Sequence, residues 1–258
     1  MKFILSPDSM KGSISSADAA AALARGIHAV QPDAVCVCVP IADGGEGTLD
    51  ALTTAPERVT VTVHGTDGRL VQAQYGIRGG LAVIEMARAA GLTLVPEAER
   101  DVLKASTYGV GELMLDAARR GCRDILLTVG GSGTNDGGTG LFRALGGEIY
   151  DADGCLLPGG GASLEAAVSC SDAHLDPLIR LCRITAASDV TNPLLGETGA
   201  TAVYGPQKGV TPALLPRLEA GMANWADILK AACGRDISSV PGSGEYVRGV
   251  VKDAIFTI

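Results

Sequence analysis

The chain opens on a short apolar run, Phe3 to Leu5, and an Ala- and Leu-rich stretch follows from about Ala17 to Val30. The run predicts a strand and the stretch a helix, with Ser15 and Ser16 placed to cap it and Pro32 to end it. Ala34 to Pro40 is almost continuously apolar, the pattern of a parallel strand covered on both faces. A turn at Asp43-Gly44-Gly45-Glu46-Gly47 then leads into a helix from about Thr48 to Thr54.

After Pro56 the rhythm shortens to two. Val59, Val61 and Val63 alternate with Thr60, Thr62 and His64, a turn follows at Thr66-Asp67-Gly68, and Leu70 to Ile77 and Leu81 to Met86 are again strand-like. This predicts an antiparallel meander with one wet face. Longer periods return with a helix from Gly109 to Arg120, a buried strand from Ile125 to Val129, a helix beginning at Leu141, a strand at Ile184 to Ala187 and a long amphipathic helix from about Pro212 to Ala232. Strands alternating with helices give an α/β protein, with a domain boundary near residue 57.

Composition narrows the partners. The 258 residues are 47% hydrophobic and 19% charged, with a net charge of −8, so the chain is globular and lacks the basic face a nucleic-acid footprint needs. An acidic protein still binds an anion locally through backbone N–H groups and a few cations. Seven Cys without a C-x-x-C pair read as reduced thiols, buried at Cys36 and Cys38, and place the protein in the cytoplasm. No signal-peptide core or membrane-length apolar run is visible. His28, His64 and His174 are scattered and read as structural or solvated.

Three loops carry candidate chemistry, and each follows an apparent strand. Ser6-Pro-Asp-Ser-Met-Lys-Gly-Ser13 sets a carboxylate, hydroxyls such as Ser9, and Lys11 at the carboxyl edge where open α/β sheets bind ligands. Lys11 could hold a carboxylate or phosphate; a capped, solvated loop is the rival reading. In the second loop Gly44 and Gly45 let amides face an anion, while Asp43 and Glu46 could hold Mg²⁺ or take a proton, or merely favour a helix N-terminus. The third, Gly130 to Gly140, has six Gly in eleven residues and fits neither the Walker A nor the dinucleotide fingerprint. Packing explains so many glycines poorly, so a ligand approaching Gly131, Ser132, Gly133, Thr134 and Asn135 is expected, with Asp136 at the centre. Ser188-Asp189-Val-Thr-Asn-Pro193 and Gly205-Pro-Gln-Lys208-Gly209 are weaker candidates, explicable as turns.

These runs, with Pro40 to Thr48 and Thr107-Tyr-Gly-Val-Gly-Glu112, occur together and in order, and the set closely resembles the type-1 glycerate kinase family from residue 1 to about 244. The resemblance implies ATP-dependent phosphorylation of D-glycerate on the 2-hydroxyl with Mg²⁺. It also implies a discontinuous Rossmann-like first domain, with a second α/β domain inserted into it and a cleft between them. Lys11 and Lys208 would neutralise phosphate charge, and Asp189 or Asp136 would orient or deprotonate the hydroxyl.

The expected division is 1–56 as the start of the Rossmann-like domain, 57–232 as the inserted domain and 233–258 as a return segment and divergent tail. After Gly244 the sequence leaves the family pattern, so a C-terminally shortened chain is expected, with an incomplete first domain and an open sheet edge. The alternative function is an inactive fragment that keeps only ligand-binding or interaction capacity.

Overall fold

The computed structural model describes residues 1–7, 10, 13–39, 44–45, 47–188, 190–234, 236 and 238. The architecture is mixed α/β, with parallel and antiparallel pairing. Strand β1 (Lys2–Leu5) is joined by helix α1 (Ser16–Val30) to strand β2 (Val35–Cys38), and β1 and β2 pair in parallel, Lys2 opposite Val35 and Leu5 opposite Cys38. Ser15 caps α1 by accepting the Asp18 N–H.

The apolar run at β2 was expected to be covered on both faces, and it is not. Ile4 is 70% exposed and Val35 57% exposed; Cys36 is only partly buried and Cys38 is exposed. The cause is topological. Among the described residues this sheet has two strands, so α1 packs on it without a further layer opposite.

Helix α2 (Thr48–Leu52) leads into β3 (Arg58–His64), β4 (Leu70–Arg78) and β5 (Leu81–Glu85), which pair antiparallel in sequence order. Next come α3 (Ala87–Ala90), α4 (Tyr108–Arg119), β6 (Asp124–Thr128) and α5 (Thr139–Ala144). Then follow β7 (Glu148–Tyr150), α6 (Ser163–Ala166), β8 (Ser169–Ser171), α7 (Pro177–Arg180), β9 (Arg183–Ala187), α8 (Ala200–Tyr204) and α9 (Leu215–Cys233). The main sheet runs β3-β4-β5-β6-β9, with β5, β6 and β9 parallel, and β7-β8 form a small separate pair.

The period of two sorts the faces of β3 and β4. Val63, Ala73 and Tyr75 are buried, while Gln72 and Gln74 on the other face donate to Thr62 and Thr60 across the strands. Tyr75, Ile84, Leu113, Met114, Ile125, Leu127 and Trp225 belong to one core. Each such side chain contributes about 1.5–3 kcal/mol on full burial. Glu112 of α4 accepts the His64 N–H at 2.7 Å and meets His64 Nδ1 at 2.9 Å, fixing the end of β3 to that helix. Among the described residues no helix is long and apolar enough to cross a membrane.

Candidate functional site

The parallel strands set the geography. Glu85, Thr128 and Ala187 are paired in register at the carboxyl ends of β5, β6 and β9. The segments leaving those ends meet. Val129 N–H donates to Ala187 O at 3.3 Å, and Gly130 N–H donates to Gly44 O at 3.2 Å. The turn after β2 is thereby brought onto the Gly-rich loop and beside the end of β9. Ligands bind such carboxyl ends in open α/β sheets because the strands stop and the loops diverge there.

The Gly-rich loop is shaped mainly by its own protein. A Cβ on Gly130 would stand 2.8 Å from Gly45 Cα, and one on Gly140 would stand 2.7 Å from the Tyr108 amide nitrogen. Backbone from neighbouring segments fills the space that the sequence assigned to a ligand, so packing accounts for these two glycines. Gly140 also lies within α5, which begins at Thr139 rather than Leu141. What remains open is the start of the loop. Gly131 is exposed and Ser132 half-buried, whereas Gly133, Thr134, Asn135 and Asp136 turn inward and are buried.

Each inward residue has a partner. Lys208, itself 8% exposed, donates Nζ to Ser132 Oγ at 2.9 Å and to Thr134 O at 2.7 Å. Asn135 Nδ2 donates to Thr201 Oγ1 of α8 at 3.3 Å. Trp225 Nε1 of α9 donates to Gly137 O at 3.0 Å. The Gly205–Gly209 turn is therefore no mere lead into a helix; it delivers a buried ammonium to the loop.

Asp136 was expected among the catalytic acids. Its carboxylate is 1% exposed and accepts four donors: Thr107 N and Thr107 Oγ1 at 2.8 Å, Gly138 N at 3.0 Å and Gly140 N at 3.2 Å. Burial pushes its pKa up, against the pull of the Thr107, Gly138 and Gly140 hydrogen bonds. In this arrangement both oxygens accept protein donors, so the residue braces the loop.

Of the other expected residues, Gly44 and Gly45 are buried where the second and third loops meet. Ser9, Lys11, Asp43, Glu46 and Asp189 lie outside the described residues, as does the tail beyond residue 238. Ser188, just before Asp189, continues from the paired end of β9.

The structure adds an acid that sequence reasoning passed over. Glu85, 1% exposed at the end of β5, accepts the Leu49 N–H at 2.7 Å and is paired with Arg88 Nε at 2.7 Å. Arg88 also reaches Asp50 at 3.3 Å, and Asp50 pairs with Arg58 at 2.7 Å. This network seats α2, and hence the turn before it, on the main sheet. The signal was present as an isolated carboxylate closing an apolar strand. Among the described residues no group of three or more His, Cys, Asp or Glu side chains could hold a metal ion.

A family model described as the glycerate kinase family matches residues 3–245. A protein of Escherichia coli K12 named glycerate 2-kinase is 42% identical over 248 residues, covering 95% of this chain and 65% of its own length. A Bacillus subtilis 168 protein named glycerate kinase is also 42% identical, with the same 95% and 65% covered. A crystal structure from Salmonella typhimurium LT2, carrying a provisional glycerate kinase 2 name, superposes with a TM-score of 0.83 at 42% identity, covering 95% of this chain and 67% of that one. The chain thus spans 65% of the length of the two named relatives.

Proposed function

The chain belongs to the glycerate kinase family, and on that premise we propose that it transfers the terminal phosphoryl group of ATP to the 2-hydroxyl of D-glycerate. The observation that carries this reading is the meeting of the turn after β2 with the Gly-rich loop beside the carboxyl ends of β6 and β9, joined by Gly130 N–H to Gly44 O at 3.2 Å, with Lys208 fastening the Gly-rich loop. Phosphoryl transfer asks little covalent chemistry of a protein. It needs the phosphates held, their charge balanced and the acceptor hydroxyl aimed.

The exposed start of the Gly-rich loop, Gly131 and Ser132, presents the phosphate-facing surface. Lys208 shapes that surface from behind, and Asp136 and Thr107 keep its backbone in place. Lys11 is assigned to the charge of the phosphates, and Asp189, one residue past the end of the described β9 segment, to the acceptor hydroxyl. Ser9, Asp43 and Glu46 complete the substrate side from the first two loops. Mg²⁺ would supply charge neutralisation on the nucleotide. Asp136 does not fit as its ligand, because protein donors already occupy both of its oxygens.

The β1-β2 unit, with its parallel pairing and exposed apolar faces, is read as the start of a Rossmann-like domain ending near residue 56. Residues 57–232, with the antiparallel meander β3-β4-β5, form the domain inserted into it. The cytoplasm is the proposed compartment.

The test is direct. The purified chain is incubated with ATP, Mg²⁺ and D-glycerate, ADP release is followed, and the product is identified by ³¹P NMR. A 2-phosphoglycerate signal that requires both substrates is expected. ADP release that ignores D-glycerate, or no release at all, refutes the proposal.

A further inference from the structure

Beside the Gly-rich loop lies a cavity of about 240 Å³. Gly91, Leu92 and Ala105 form part of its wall, Gly133 and Lys208 another part, and Arg100 enters it as well. Pockets for drug-sized ligands run to ~300–1,000 Å³, so this one has room for a three-carbon acid and not for a nucleotide.

The charges in its wall are unevenly matched. Asp67 and Glu99 both pair with Arg69, the latter at 3.1 Å, and Asp101 pairs with Lys104 at 3.0 Å. Arg100 is different. Its Nε donates to Val95 O at 3.3 Å and its Nη1 to Gln207 O at 2.9 Å, both neutral carbonyls. Among the described residues no carboxylate pairs with it, although acids flank it in sequence on both sides. The two backbone carbonyls hold the guanidinium in a half-buried place. A fixed, partly desolvated guanidinium without a counter-charge favours a planar anion, which it can grip through two parallel N–H groups.

We propose that this cavity is the subsite for the small hydroxy acid and that Arg100 binds its carboxylate, which makes Arg100 the residue that selects an acid over a neutral polyol. The inference rests on the kinase reading for the identity of the acid. The wall shared with Gly133 and Lys208 sets the bound acid against the loop assigned to the phosphates. The sequence offered no sign of this role. Arg100 is held by Gln207, 107 residues away, and reads locally as one charge among several.

The test uses the full chain and three variants: Arg100→Met, Arg100→Lys and Leu92→Phe. D-Glycerate binding is measured by titration calorimetry without nucleotide, glycerol serving as the neutral control, and the KM values for D-glycerate and ATP are measured separately. A charge-assisted hydrogen bond is worth about 1.5–3 kcal/mol, so Arg100→Met should weaken D-glycerate roughly 10- to 150-fold while KM for ATP stays within about twofold. Arg100→Lys should lie between, because it keeps the charge and loses the fork. Leu92→Phe narrows the cavity without altering a charge, so it carries the test if Arg100→Met fails to fold; it too should raise only the glycerate KM.

An unchanged glycerate KM in the folded variants overturns the subsite, as does an equal rise in both KM values or glycerol binding as tightly as the acid. If the parent chain phosphorylates glycerate while these variants leave its KM untouched, the kinase reading stands and this site falls. If the parent chain binds glycerate through Arg100 and transfers no phosphate, the site stands and the kinase reading falls.

Discussion

Replacing Asp136 with Asn separates a brace from a catalyst. Asn keeps the shape and offers one acceptor oxygen in place of two. Oδ2 of Asp136 accepts Thr107 N, Thr107 Oγ1 and Gly140 N, and Oδ1 accepts Gly138 N. With the Asn oxygen at the three-donor side, its NH₂ faces the Gly138 N–H, donor against donor. This half-buried N–H left without an acceptor costs on the order of 1 kcal/mol, the low end for a desolvated donor. The three surviving bonds change from charged to neutral acceptors, a further loss of several tenths of a kcal/mol or more each by the same scale. Against this, Asn avoids the desolvation that burial imposes on the carboxylate. The net expectation is a loss of about 2–4 kcal/mol in unfolding free energy. Urea unfolding followed by the fluorescence of Trp225, the one Trp in the sequence, reads this as a lower midpoint at unchanged slope. Thr107→Val completes a double-mutant cycle, since Thr107 Oγ1 donates to Asp136 and accepts the Leu141 N–H. Coupling of about 0.5–3 kcal/mol is expected for partners in one network. A loss below about 0.5 kcal/mol, the range of inconsequential surface changes, would refute the brace. A stable Asp136→Asn protein with turnover down ~10²–10⁴-fold would restore the residue to the catalytic role the sequence suggested.

Glu85→Gln should destabilise by about 1–3 kcal/mol, because it weakens the acceptor for Leu49 N–H and removes the charge facing Arg88; a thermal melt within error of the parent would show that the network does not seat α2. Alkylation at pH 8 should label exposed Cys38 and Cys155 first and spare buried Cys122 and Cys182, whose thiols burial pushes up. Burial also holds the Cys170 thiol up at about 11, so its labelling should accelerate as pH rises toward that value; rapid labelling at neutral pH, read by peptide mass spectrometry, would contradict the placement. Native hydrogen exchange should be much faster in Lys2–Leu5 and Val35–Cys38 than in Asp124–Thr128, which has a paired strand on each side; equal protection would mean that the β1-β2 unit is as well supported as the main sheet.

The sequence made local order legible and long-range order much less so. The Val/Thr alternation from 59 to 64 marked β3 because side-chain period reports directly on a half-buried strand. The apolar run at β2 was rightly read as a strand and wrongly as covered, since burial depends on what lies opposite and not on the run itself. Three-residue β7 and β8 are too short to show a period and were missed. In the Gly-rich loop the density of glycine was a true signal of close approach, but Gly130 and Gly140 are approached by their own chain. Lys208 was found through its motif. Glu85 and Arg100 were not, because contacts that help place them, with Leu49 and Gln207, span 36 and 107 residues.

Those distances along the chain bear on how the loop acquires its form. Lys208 reaches Ser132 and Thr134 over 76 and 74 residues, and Trp225 reaches Gly137 over 88. Contacts of such separation carry a large loop-closure entropy and form slowly. Synthesis at roughly 5–20 residues per second puts Trp225 on the order of 4–18 s behind Gly137. During that interval β5 and β6 are already made and able to pair, whereas the loop leaving β6 has neither its ammonium nor its indole to close upon. The loop proposed to face phosphate is thus among the last parts of the structure around the main sheet to take shape as the chain is made.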